Sequence, residues 1–224
     1  TTVGLSLSMS NTDLDGKGIG KAKNDIDTYT ASIYMDKATD VGYVEGSLTF
    51  GISENATSRN ITSAGLNRTL TGAYDASQLS LNVGVGMPND VGVGYVTPFA
   101  SFTGTLIDTD AYTEKSTVAS DSLALKIAQD DVSSMIGTVG VRYHNVMDNG
   151  GTPMISLALN NEFGDSAITS TNTYTGGGTA FKTSTDVEEL SATLGLGYSM
   201  GNDYTSIEFA YEADANDDKY LSHG

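Results

Sequence analysis

Apolar and polar residues alternate with a period of two along much of this chain. Successive side chains of a β-strand point to opposite faces, so such alternation predicts strands whose two faces meet different surroundings. In Met154–Asp165, Ile155, Leu157 and Leu159, followed by Asn161 and Phe163, share one face; Met154, Ser156, Ala158, Asn160 and Glu162 share the other. The same contrast recurs along the sequence. Val3, Leu5, Leu7 and Met9 stand against Gly4, Ser6, Ser8 and Ser10, and Tyr29, Ala31, Ile33 and Met35 against Thr28, Thr30, Ser32 and Tyr34. Val44, Leu48, Phe50 and Ile52 oppose Glu45, Ser47, Thr49 and Gly51, while Leu79, Leu81, Val83, Val85 and Met87 oppose Ser80, Asn82, Gly84 and Gly86. Further on, Val139, Val141 and Tyr143 face away from Thr138, Gly140, Arg142 and His144, and Ala192, Leu194, Leu196 and Tyr198 from Thr193, Gly195, Gly197 and Ser199. Ile207, Phe209 and Tyr211 are set against Ser206, Glu208 and Glu212. GYVTPFASFTGT adds a strand of ambiguous polarity, with Tyr95 and Phe99 on one face and Val96 and Phe102 on the other. About nine strands are predicted.

The connections carry a second regularity. Long polar loops (DLDGKGIGKAKND, SENATSRNITSAGLNRTLTG, IDTDAYTEKSTVASDSLALKIAQDDVSS, GDSAITSTNTYTGGGTAFKTSTDVEE) alternate without exception with short ones (KATDVG, PNDVG, MDNGGT, GND). If each strand runs antiparallel to the one before, every short turn falls at one end of the sheet and every long loop at the other. That is the meander of an up-and-down β-barrel. The Greek-key crossovers of a soluble β-sandwich scramble long and short connections.

The apolar faces contain no Lys, Arg, Asp or Glu, although 17% of the chain is charged. A membrane explains the exclusion, because Arg or Lys at the midplane of a lipid-facing band costs about 2–4 kcal/mol. Leu5, Leu7, Leu48, Phe50, Leu81, Val83, Val139, Val141, Ile155, Leu157, Leu159, Leu194, Leu196, Ile207 and Phe209 are therefore expected to face lipid. The opposite faces hold small polar residues, and Glu45, Asn82, Arg142, His144, Asn160, Glu162, Glu208 and Glu212 are expected to face a wet lumen. No run of 18 apolar residues exists, which excludes a transmembrane helix but not a barrel. Tyr29, Tyr43, Tyr95, Tyr143, Tyr198 and Tyr204, at strand ends, fit either interfacial aromatic girdles or plain β-propensity.

A net charge of −17 across 224 residues, with no basic cluster, argues against nucleic acid as a partner. Without cysteine there is neither a disulfide nor a thiolate metal site. DLDGKG (Asp13 to Gly18) echoes the start of a calcium loop, but Asn24 stands where the twelfth-position glutamate belongs, and solvated loop tips are the expectation here and at Ala215 to Asp218. His144 and His223 are too few for a His-rich metal site, and no nucleophile elbow accompanies them. No catalytic residue, metal or cofactor is expected.

Ten segments in order, DIDTYTASIY, GYVEGSLTFG with TSRNI, GAYDASQLSLNVGVG, YVTPFASF, AYTEKS, SLALKIAQDDVSSMIGTVGVRY, TPMISLALNNEFGD, AFKTSTD, ELSATLGLGYSMG and YLSHG, resemble the C-terminal translocator β-domain of bacterial autotransporters, the type V secretion barrels. Each is weak alone; their joint order and spacing are specific. The resemblance implies a twelve-stranded outer-membrane pore with long loops extracellular, linked through a lumenal helix to a secreted passenger. It also implies three partners: outer-membrane lipid, the protein's own N-terminal passenger and linker helix, and the outer-membrane barrel assembly machinery. Laid on that pattern, residues 1–224 look like a single barrel domain holding strands three to eleven, incomplete at both ends. Asn160 and Asn161 match the Asn-Asn cleavage junction of some members in type only, because that junction sits on the pore helix and this pair on a strand. A small porin-like channel, or an adhesin barrel acting through its long acidic loops, is the alternative; a soluble β-sandwich binding module is a third reading.

Overall fold

The structure is a computed structural model describing residues 1–18, 20–63, 65–119, 121–201, 205–216 and 221–223. In chain order the strands are β1 (Thr2–Asp15), β2 (Lys23–Ala38), β3 (Tyr43–Ser63), β4 (Leu66–Gly86), β5 (Asn89–Asp90), β6 (Tyr95–Thr109), β7 (Tyr112–Thr113) and β8 (Lys115–Ser116). They continue with β9 (Leu125–Gln129), β10 (Val132–His144), β11 (Thr152–Glu162), β12 (Ala167–Tyr174), β13 (Phe181–Asp186), β14 (Leu190–Gly201), β15 (Ser206–Asn216) and β16 (Leu221–His223). No described residue is helical.

The main sheet runs β1-β2-β3-β4-β6-β10-β11-β14-β15-β16, every pair antiparallel, and is curled into part of a barrel wall. Among the described residues β1 and β16 are its edges. All nine strands expected from alternation are present, in an up-and-down order. The short turns gather at one end, and local chemistry closes them. At Met147 to Gly151 the Asn149 side chain accepts from Gly151 N at 3.0 Å, and Gly150 takes the left-handed conformation, φ 81°, that favours glycine. At Asp90 to Gly94 the Asp90 carboxylate accepts from Gly92 N at 2.7 Å.

The long loops depart from expectation, because much of what reads as polar loop is β-structure. SENATSRNITSAGLNRTLTG is the far half of a hairpin in which β3 and β4 stay paired to Ser63 and Leu66, turning at Gly65 with φ 81°. The loops on either side of β10–β11 build a second sheet, in the order β13-β12-β9-β7. Hairpins standing in water need no apolar face, only paired backbones and β-tolerant Thr, Ser, Ile and Tyr, so the apolar/polar contrast fades where the strands themselves continue.

A soluble domain of this size has a packed interior. Here, among the described residues, Leu70, Ala124 and Ala158 are the only buried apolar ones.

Candidate functional site: the two faces of the wall

Each of the fifteen aliphatic and aromatic positions expected on the apolar face is exposed, from 40% at Leu194 to 85% at Leu7. No second layer covers them. Register joins them into a continuous band: Leu5 opposes Ile33, Ile33 opposes Leu48, Leu48 opposes Leu81, Val139 opposes Leu159, and Leu157 opposes Leu194. On β3 the band runs from Val44 to Ile52, matching the strand length of about nine residues that a tilted strand needs to cross hydrocarbon. Toward the long-loop end it stops at a row of exposed carboxylates, where Asp27 opposes Glu54 and Glu54 opposes Asp75.

The other face is a ladder of hydroxyl and amide groups. Ser8 meets Thr30 at 2.6 Å, Ser32 meets Thr49 at 2.8 Å and Ser80 meets Thr105 at 2.9 Å. Asn82 donates to Thr103 at 2.8 Å. Asn160 is a hub: its carbonyl oxygen accepts from Thr138 at 2.8 Å, and its amide donates to Ser191 at 3.2 Å and Thr193 at 2.9 Å, tying β10, β11 and β14 together. Glu162 works at the strand end, accepting from Ser134 Oγ and from the Met135 and Gly164 backbones at 2.5–2.7 Å. The Arg142 guanidinium lies 5.3 Å from the Phe99 ring centre, and His144 stacks on Tyr95 at 5.2 Å. Glu45, Glu208 and Glu212 are exposed on this face. Among the described residues no ion pair joins any of these acids to Arg142.

Large side chains on this face lie across glycines of the neighbouring strand. Tyr34 covers Gly4, Tyr43 covers Gly86 and Phe99 covers Gly140, each so closely that a Cβ on the glycine would sit 2.2–2.5 Å from the ring. Tyr43 and Tyr95 therefore belong to the polar face, which removes them from an outward aromatic girdle. Tyr29, at 43% exposure, stays outward, and Tyr204 lies outside the described residues. DLDGKG is not a loop tip throughout, since Asp13 is in β1 and Asp15 pairs with Lys23 at 2.9 Å. Asp217 and Asp218 lie outside the described residues, and of His223 only the backbone is described.

Sequence reading missed the cluster where the second sheet meets the β3–β4 hairpin. Glu114, 6% exposed, receives Arg59 Nε at 2.6 Å and Nη2 at 2.7 Å, and also the Leu125 backbone at 2.8 Å. Arg59 donates in addition to Leu123 O. Tyr112 stacks on Tyr74 at 4.7 Å, and burial, with Tyr74 and the Glu114 charge beside it, pushes its phenol up to about 12. The Asp121 carboxyl is held below its usual range by hydrogen bonds from Ser116 and Leu123 N. The one available signal was the weak alternation in LKIAQ and AITSTNTY.

The comparisons fit this architecture. The family model described as the autotransporter β-domain matches residues 1–212. Among solved structures, the translocator domain of autotransporter NalP from Neisseria meningitidis superposes with a TM-score of 0.71 at 19% identity, covering 99% of this chain and 71% of that one. No curated protein matches in sequence.

Proposed function

The chain belongs to the autotransporter β-domain family, and from that premise we propose that it is an outer-membrane translocator barrel through or with which a passenger segment reaches the cell surface, with no enzymatic chemistry of its own. The observation that carries this reading is the bare apolar band. Fifteen large apolar side chains, none covered and none interrupted by charge, form one face of a sheet with almost no buried apolar interior. In water so large a patch drives association, whereas acyl chains complete it without a second layer. Backbone groups at that depth have no water to bond, so the strands are stable there only as a closed wall.

The polar ladder suits a wet lumen. Its hydroxyls and amides are mostly satisfied by one another, which leaves a smooth, weakly charged surface along which an extended chain or a linker helix slides or rests. The exposed Glu45, Glu208 and Glu212 are the groups placed to meet such a segment, while Arg142 lies against the Phe99 ring. Outer-membrane lipid, the passenger with its linker helix, and the barrel assembly machinery are the partners this reading requires. The long-loop end faces the cell exterior.

An epitope inserted in the Gly176–Gly178 turn between β12 and β13 tests orientation and location together: antibody labels it on intact cells. Labelling only after permeabilisation reverses the orientation, and recovery of the protein in a soluble fraction ends the barrel reading. Triple replacement of Val83, Val139 and Leu157 by Arg is expected to abolish surface display of the passenger.

A further inference from the structure

On the outer face the apolar band gives way to acids across two adjacent rungs of the wall. One rung runs Phe50, Leu79, Leu106, Ser133 over β3, β4, β6 and β10. The next runs Ile52, Ser77, Asp108, with Asp131 beside Asp108, one residue beyond the Ile107–Val132 pair. Asp165 joins the group from the far side of β10, its carboxylate accepting from Ser133 N at 2.6 Å and from Ser133 Oγ at 3.0 Å. Ser77 and Ser133 are small where their neighbours are large, and they leave a hollow. The result is a cavity of about 440 Å³ with Phe50, Leu79 and Leu106 as an apolar wall and Asp108, Asp131 and Asp165 as an anionic one.

Left empty, this arrangement is unfavourable. Like charges in adjacent strands repel, and among the described residues no Lys or Arg pairs with any of the three acids. A hollow among apolar side chains also forgoes the contacts of a filled surface. One occupant with a hydrocarbon tail and a cationic head removes both costs. A metal ion does not: among the described residues no three His, Asp or Glu groups are placed to hold one, and a metal leaves the apolar wall bare. A protonated primary amine suits the acids better, because it donates up to three charge-assisted hydrogen bonds to carboxylates set around it.

We infer that this hollow binds one membrane lipid with a primary-amine headgroup, its ammonium among Asp108, Asp131 and Asp165 and an acyl chain along Phe50, Leu79 and Leu106. The wall then selects among lipids at one place and is indifferent elsewhere. This rests on the barrel reading above.

The protein has no tryptophan, so one introduced tryptophan reports on the lipids that touch it. Leu81→Trp stands next to Leu79 on the same face but outside the cavity lining, and Leu194→Trp stands on that face four strands away. In the intact protein reconstituted in vesicles, brominated phosphatidylethanolamine should quench Leu81→Trp as though enriched roughly fivefold over brominated phosphatidylcholine, whose head has no N–H to donate, and over brominated phosphatidylglycerol, whose head is anionic. Leu194→Trp should show no preference. Asp108→Asn combined with Asp131→Asn should bring the ratio to about one, and Ser77→Leu, which keeps every charge but fills the hollow, should lower it as well. Equal quenching by the three lipids at Leu81→Trp overturns the site, as does the same preference at both positions. A preference that survives the double Asn variant overturns the amine assignment. Failure of the protein to insert into vesicles overturns the barrel reading itself, whereas insertion without lipid preference overturns the lipid site alone.

Discussion

Glycine pairs with a bulky partner at several points on the polar face, and the reason is curvature. On the concave side of a curled sheet neighbouring side chains converge, so a ring lies flat only where the adjacent strand offers no Cβ. Gly140 is the case with least room to adjust: an added methyl would stand 2.5 Å from the Phe99 ring and 2.7 Å from Leu157 O, and the second of these is backbone that cannot swing aside. Gly140→Ala is expected to cost about 1–3 kcal/mol in unfolding from detergent or vesicles, whereas Gly18→Ala, with open space around it, should cost next to nothing. On the opposite face the medium sets the scale. Leu157→Arg should cost about 2–4 kcal/mol in the equilibrium for folding into vesicles if acyl chains surround it, and about zero if water does. Tyr112 gives a titration with a definite sign. With its folded pKa near 12, above the ordinary value of 10.0, the stability it contributes is complete below pH 10 and is lost as pH rises toward 12. Ultraviolet difference titration of the parent against Tyr112→Phe should show the missing phenol ionising near 12.

At the scale of elements, β3 and β4 each run 21 residues, roughly twice the length that hydrocarbon requires. The outer half is a post on which the second sheet leans. Removing residues 57–72 should leave the heat-modifiable barrel intact while making residues 111–131 newly sensitive to protease, because Arg59, Gly72 and the Leu70–Thr71 stretch that pairs with β8 go with it. The same division explains what was legible beforehand. Charge is absent beside Ile155, Leu157 and Leu159, which leaves an alternation readable by eye, and nine strands with their order follow from it. Above the band no solvent contrast exists. Arg59 and Glu114 are 55 positions apart, each in a polar stretch resembling any surface loop, and only the fold of two separate loops onto one hairpin brings them within 2.6 Å. Tyr43 and Tyr95 were misleading for a related reason: β-propensity says that tyrosine belongs in a strand but not which face it takes, and here Tyr43 lies over the opposite Gly86 while Tyr95 stacks on the opposite His144.

For the whole molecule, the sparse interior is the controlling fact. A chain whose apolar groups sit outside cannot be held together by a core in water. It should purify only in detergent and migrate anomalously on unboiled gels; a monodisperse preparation free of detergent would show the exposed band to be covered by something other than lipid. The match of 99% of this chain to 71% of a solved translocator at 19% identity shows that the fold outlasts the identity of most residues.

The carboxylate row of Asp27, Glu54 and Asp75 also bears on how such a molecule enters its membrane. In the proposed barrel the hairpins of β2, β3 and β4 must carry these anions and everything beyond them through hydrocarbon before they span, and dragging ionised groups across oil raises a kinetic barrier that a finished structure does not reveal. Unassisted insertion should therefore be slow in thick intact vesicles and much faster in short-chain lipid with packing defects. In the proposed barrel, the collar that would keep the mature wall from slipping back is the same one that would slow its unassisted arrival.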